Sequence, residues 1–71
     1  MENVTSKVLK TAVEKSGLSE YAIAKKIGIT QQNLYRSKTT KYEANDDALI
    51  KLAQIAQLNP LEVLAEKHIQ T

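Results

Sequence analysis

Gln31, Gln32, Asn33 and Arg36 concentrate hydrogen-bonding groups in one short segment. A carboxamide offers a donor and an acceptor in one plane, the pattern complementary to adenine N6 and N7. A guanidinium offers a planar fork that fits guanine O6 and N7, or a single phosphate. On a helix, Arg36 follows Gln32 by four positions and shares its face. Beyond them, Lys38, Thr39, Thr40 and Lys41 supply ammonium and hydroxyl groups suited to phosphate oxygens. Residues 30–42 contain Arg36, Lys38 and Lys41 and no acid. Reading base edges in a major groove, with backbone contacts at the flank, calls for such a set. In an isolated helix the same residues would be an ordinary solvated face, so the elements around them decide.

Two short helices joined by a tight turn must position these groups. The first spans about 19–26, with Ile23, Ala24 and Ile27 on one face. Ala24 is small where a second helix must approach. Gly28 stands where the chain needs positive φ, and Ile29 and Leu34 carry the apolar signal across the turn. Thr30 offers a hydroxyl N-cap to the second helix, about 30–38. This is a helix-turn-helix pattern, and it makes double-stranded DNA the leading partner. Lys38 to Ala44 then read as an irregular basic loop.

The remaining chain reads as three further helices. Residues 4–16 place Val4, Val8, Ala12 and Val13 on one stripe with Leu9 beside it, and Gly17 as a left-handed cap. Asn45 caps a helix of about 46–57, with Asp46 and Asp47 at the positive end of its dipole. Its core stripe is Leu49, Leu52, Ala53 and Ala56, flanked by Ile50 and Ile55. Asn59, Pro60 and Glu62 mark the capped start of a helix over 60–69 that carries Leu61, Val63, Leu64 and Ile69. No alternating strand pattern occurs. The expectation is an all-α, compact five-helix bundle forming one domain over residues 1–71.

Composition narrows the function classes. A chain of 71 residues buries only about 60% of its unfolded surface, which suits presentation of one surface better than a deep pocket. There is no Cys, which excludes thiolate zinc sites, disulfides and thiol catalysis. No apolar run resembles a secretory signal or the ~18 residues of a membrane span, so a cytoplasmic location is expected. The formal net charge is +2, but its distribution is uneven. Residues 1–45 hold eight Lys and Arg against four acids, and residues 46–71 hold two against four. The basic half carries the helix-turn-helix.

Other single residues read more plainly. Tyr35 follows core Leu34 and points outward, toward a thymine methyl, a phosphate or the loop. Tyr21 lies near the same side. Tyr42 is expected to fold back onto the bundle, over the gap left by Ser37. His68 is the lone histidine and lacks the partners of a three- or four-ligand metal site. It suits a helix C-terminus instead. Glu62 and Glu66 share a helix face and read as solvated. No nucleophile, base and orienting group recur at an interpretable spacing. No enzyme, metal or cofactor is expected.

Taken together, Ile23-Ala24-Lys25-Lys26-Ile27-Gly28-Ile29-Thr30, Leu52-Ala53-Gln54-Ile55 and Asn59-Pro60-Leu61-Glu62-Val63-Leu64 resemble the lambda-repressor-like helix-turn-helix family of Cro and repressor proteins. The likeness covers residues 4 to about 65. Thr30-Gln31-Gln32 is similar to the start of the recognition helix in one phage repressor, and the Asp46-Asp47 and Asn59-Pro60 regions, with Glu62 to Glu66, are similar to small phage and prophage proteins. The resemblance implies a five-helix bundle, operator binding and two-fold dimers. It also implies that Gln31 and Gln32 face bases, Arg36 a base or phosphate, and the following loop the backbone. Three positions depart from the family. Glu20 stands where a phosphate-touching Gln is usual, and either repels DNA or stabilises its helix and turns away. Ser37 replaces a common apolar residue, so the end of that helix is expected to fray or pack differently. The loop lacks the common Gly.

These readings combine into a Cro-type transcriptional repressor. A dimer would cover a near-palindromic operator with half-sites roughly 34 Å apart, its occupancy set by concentration. The spread of apolar residues around the last helix leaves surface for the second copy, unless all four pack internally. Asn33, Tyr35 and Tyr21 complete the expected contact set with Gln31, Gln32, Arg36, Lys38, Thr39, Thr40 and Lys41. The alternative is a protein-interaction module, such as an antitoxin or a phage assembly or accessory factor, which Glu20 and the balanced net charge favour.

Overall fold

The computed structural model describes residues 3–70, with the side chain of Gln70 left aside. Among them there are five helices and no strand: α1 (Val4–Ser16), α2 (Glu20–Ile27), α3 (Gln31–Thr39), α4 (Asp46–Ile55) and α5 (Pro60–Gln70). The sequence punctuates them. Asn3, Ser19, Thr30 and Asn45 each take extended backbone and accept a hydrogen bond from the third residue onward. Such caps contribute about 1 kcal/mol each. Ser19 is a cap rather than a helical residue, so α2 begins one position later than the apolar spacing predicts, while Thr30 takes the N-cap position expected of it. α3 runs through Thr39, one residue past the expected end at 38. It stops at Thr40, whose N–H and hydroxyl both donate to Arg36 O, at 2.9 and 2.7 Å.

Gly28 ends α2 at φ 81°, its N–H bonded to Ala24 O. A Cβ built there would meet nothing within 4 Å, so the turn needs the torsion and not the space. α4 ends differently, two residues short of the expected 57. Gln57 takes φ 60°. Its N–H bonds to Gln54 O at 3.2 Å and that of Leu58 to Ala53 O at 2.9 Å. This is a Schellman closure formed without glycine.

The core unites Val4, Val8, Leu9 and Ala12 of α1, Ile23, Ala24 and Ile27 of α2, and Leu34 of α3 with Leu49, Leu52 and Ala53 of α4 and Val63 of α5. α4 packs on α1, α2 and α5, while α3 packs on α2 and α1. Alanines at positions 24, 48, 53 and 56 are buried where helices meet. On α5 the four apolar residues separate. Val63 is buried and Leu64 partly so, while Leu61 and Ile69 are 75% and 83% exposed.

The segment between α3 and α4 is built in a way the expected basic loop does not suggest. Glu43 turns back to α1, where it accepts from Val4 N at 3.2 Å, Thr5 N at 2.9 Å and the Thr5 hydroxyl at 2.7 Å. With Asn3 capping Ser6 N and Lys7 N bonded to Asn3 O, every first-turn N–H of α1 has a partner. A carboxylate at this end also suits the helix dipole. Thr5 Oγ1 accepts in turn from Ala44 N at 3.0 Å. Thr5 and Ala44 are fully buried.

On the opposite side, Lys67 of α5 donates to Ala44 O at 3.0 Å and to Asp46 at 2.8 Å, and His68 lies 3.2 Å from the other Asp46 oxygen. These contacts, Lys67 first and His68 second, hold the Asp46 carboxyl below its ordinary value of 3.8. Glu66, expected to be only solvated, is ion-paired with Lys7 of α1.

Two outcomes follow for stability. Thr5→Val strands the buried Ala44 N–H and removes one Glu43 bond. It should cost about 1–3 kcal/mol in equilibrium denaturation, whereas Thr5→Ser should stay close to the parent. The Asp46 carboxyl keeps its charge to lower pH in the folded chain than in the unfolded one. Its stabilisation is therefore complete above 3.8 and disappears as pH falls through the lower folded value. The stability gap between the parent and Asp46→Asn should accordingly narrow in acid melts below that pH.

Candidate nucleic-acid interface

α3 is the element with the barest outer face. Leu34 and Ser37 are its buried residues and fix its rotation. At about 100° per residue, Gln32, Tyr35, Arg36 and Thr39 point the opposite way, at positions i, i+3, i+4 and i+7. All four are exposed. Gln31 and Lys38 lie on the flank nearer α2, also exposed, and Asn33 is half-buried on the other flank. Thr30 Oγ1 accepts from Asn33 N at 3.0 Å and holds the first turn. Ser37 packs inward at the end of α3. It is 2% exposed, and its hydroxyl donates to Leu34 O at 2.6 Å, so a small hydroxyl closes this end of the helix from inside.

Cations dominate the surroundings. Lys25, Lys26, Arg36, Lys38 and Lys41 are exposed. Among the described residues only Lys38 of these five has an ion-pair partner, Glu20, at 2.9 Å. Glu20 thus turns from the first turn of α2 toward the last turn of α3. The pair borders an open concavity of about 400 Å³ that α1 lines with Leu9, Lys10, Val13 and Glu14.

Each tyrosine carries a cation over its ring. Lys25 lies 4.9 Å from the Tyr21 centroid, Lys38 5.7 Å from that of Tyr35, and Arg36 5.5 Å from that of Tyr42. Tyr21 and Tyr35 are 52% and 59% exposed. Thr40 has a local part, since its hydroxyl also accepts from Tyr42 N at 3.1 Å. Thr39 and Lys41 are exposed.

The structure therefore gathers Gln32, Tyr35, Arg36 and Thr39 on one stripe, with Gln31, Lys38, Asn33 and Lys41 around it, and leaves Tyr21 on the neighbouring helix. Sequence reasoning left out Lys25 and Lys26, which α2 exposes beside Tyr21. It also left out the supports Glu20 and Tyr42 give to Lys38 and Arg36. The i, i+4 spacing of Tyr21 and Lys25 was the available signal for the first.

The described residues hold no group of three or more side chains able to bind a metal, and no helix long and apolar enough to cross a membrane. Comparison with protein families, with curated proteins and with solved structures finds no match to this chain.

Proposed function

We propose that this chain is a sequence-specific double-stranded DNA-binding protein of the helix-turn-helix type, a Cro-like cytoplasmic repressor without catalytic activity. The observation that carries the reading is the outward stripe of α3. Amide, phenol, guanidinium and hydroxyl groups stand there in one row, without an acid. The buried Leu34 and Ser37 fix the rotation behind them. α3 would lie in the major groove, with Gln31 and Gln32 toward bases and Arg36 toward a base or phosphate. Lys38, Thr39, Thr40 and Lys41 would track the backbone. A second copy would meet the exposed apolar side of α5, and the dimer would exclude polymerase from a near-palindromic operator. The exposed Leu58, Leu61 and Ile69 favour the other reading as well, a protein-interaction module that uses this side for a different partner.

Gel-shift titration against random duplexes at two salt concentrations separates the two. If about five phosphates are contacted, log K should fall with log salt at a slope near −4 to −5. No shift at low salt would leave the interaction module standing. On a selected duplex, Gln32→Ala should cost about 1–3 kcal/mol and relax preference at one position, with Gln31→Ala acting at a neighbouring one. Lys41→Ala should weaken all sequences alike and flatten the slope by about one unit. Melting curves should be unchanged, since these side chains are exposed.

Glu20 gives a separate expectation. Glu20→Gln removes a carboxylate from the cationic side and releases Lys38 to a phosphate. Binding to every duplex should tighten about three- to fivefold, roughly 0.7–1 kcal/mol, the upper range for one exposed charge pair. The salt slope should steepen by about one unit. Unchanged affinity and slope would mean that the Glu20–Lys38 pair lies off the DNA path.

A further inference from the structure

We infer that Tyr42 is a positioning residue for base recognition: its ring presets the Arg36 guanidinium for a planar pair of acceptors, the O6 and N7 edge of a guanine. The inference rests on the DNA reading above and adds the target base and the residue that tunes its recognition.

An exposed Arg samples many rotamers, and binding must order it. Arg36 is already restrained from two sides. Its guanidinium carbon lies 5.5 Å from the Tyr42 centroid, and Nη1 approaches Asn33 Oδ1 at 3.5 Å. Contact with a ring uses the face of the guanidinium and leaves its in-plane N–H groups available. Asn33 takes one of these donors at Nη1, and the remaining edge of the restrained fork is matched to two acceptors in one plane.

The Tyr42 pair differs from the other two in how it is anchored. Tyr21–Lys25 and Tyr35–Lys38 each form within a single helix, from tyrosines more than half exposed. Tyr42 belongs to a different element from Arg36, and its backbone is held on both sides. Its N–H donates to Thr40 Oγ1, and its carbonyl accepts from Asn3 Nδ2 at the start of α1. The next residue, Glu43, is fixed to Val4 and Thr5. The backbone that carries the ring is thus tied both to the end of α3 and to the start of α1, and Arg36 is braced against a segment that α1 helps to hold.

The test uses the full chain and a duplex selected from a random pool, compared with the same duplex altered at each G·C pair. Arg36→Ala should abolish discrimination at one G·C pair. Tyr42→Phe should keep that discrimination within about twofold, because the ring remains. Tyr42→Leu should reduce it about fivefold without changing the salt slope, and should add nothing in the Arg36→Ala background. Arg36→Lys keeps charge and should retain the slope while losing the discrimination. Concentrations of active protein from stoichiometric titration remove any loss due to unfolding. Four results overturn the inference: Tyr42→Leu weakens all duplexes equally, Tyr42→Leu leaves discrimination intact, Tyr42→Phe loses as much as Tyr42→Leu, or Arg36→Ala acts uniformly as a phosphate contact would. The DNA reading itself falls only if the parent protein binds no duplex, and the inference then falls with it.

Discussion

The backbone of Ala44 is the point on which the bundle depends. It lies in an irregular segment, yet it is fully buried. A buried peptide group without a helix or strand must find partners elsewhere or lose the hydrogen bonds it had with water. Here two helices supply them. Thr5 of α1 accepts from the N–H, and Lys67 of α5 donates to the carbonyl. Elements far apart in sequence are thereby tied at one residue, which stands immediately before the cap of α4. Since α4 packs on α1, α2 and α5, fixing its start also fixes the frame in which α2 holds α3.

The same tie explains how a short loop serves two neighbours. Glu43 satisfies α1 while Tyr42, one residue earlier, supports Arg36. The loop has no regular structure and contains no glycine, yet its polar groups are well accounted for. Thr40 closes α3, Asn3 takes the Tyr42 carbonyl, and Asn45 opens α4. Side-chain caps, from the loop itself and from Asn3, stand in for regular structure.

Local chemistry made much of this legible. The helices, the left-handed Gly17 and Gly28, and the caps Thr30 and Asn45 are written in short-range spacing. So is the outward face of α3, because Leu34 alone nearly sets its rotation. What escaped was long-range or atypical. Thr5 and Glu43 are 38 residues apart, and nothing near either residue announces the other. Glu20 could be read as repelling an anion or as turning away; only the packing of α2 on α3 brings Lys38 to it. The apolar spacing carries α4 two residues too far because Gln57 occupies a conformation usually given to glycine. On α5 an apolar spacing alone could not separate the buried Val63 from the exposed Leu61 and Ile69.

The turn after α2 has a consequence for which substitutions it tolerates. Apart from residue 28 and its two chain neighbours, no atom stands within 4 Å of where a side chain at Gly28 would begin, so packing against the rest of the bundle does not restrict the position. What restricts it is handedness. An L-residue is strained at φ 81° because its Cβ crowds its own backbone, whereas the mirror-image amino acid has its energy minimum there. Position 28 therefore discriminates by stereochemistry alone, and D-alanine, introduced by chemical synthesis, fits it better than L-alanine does.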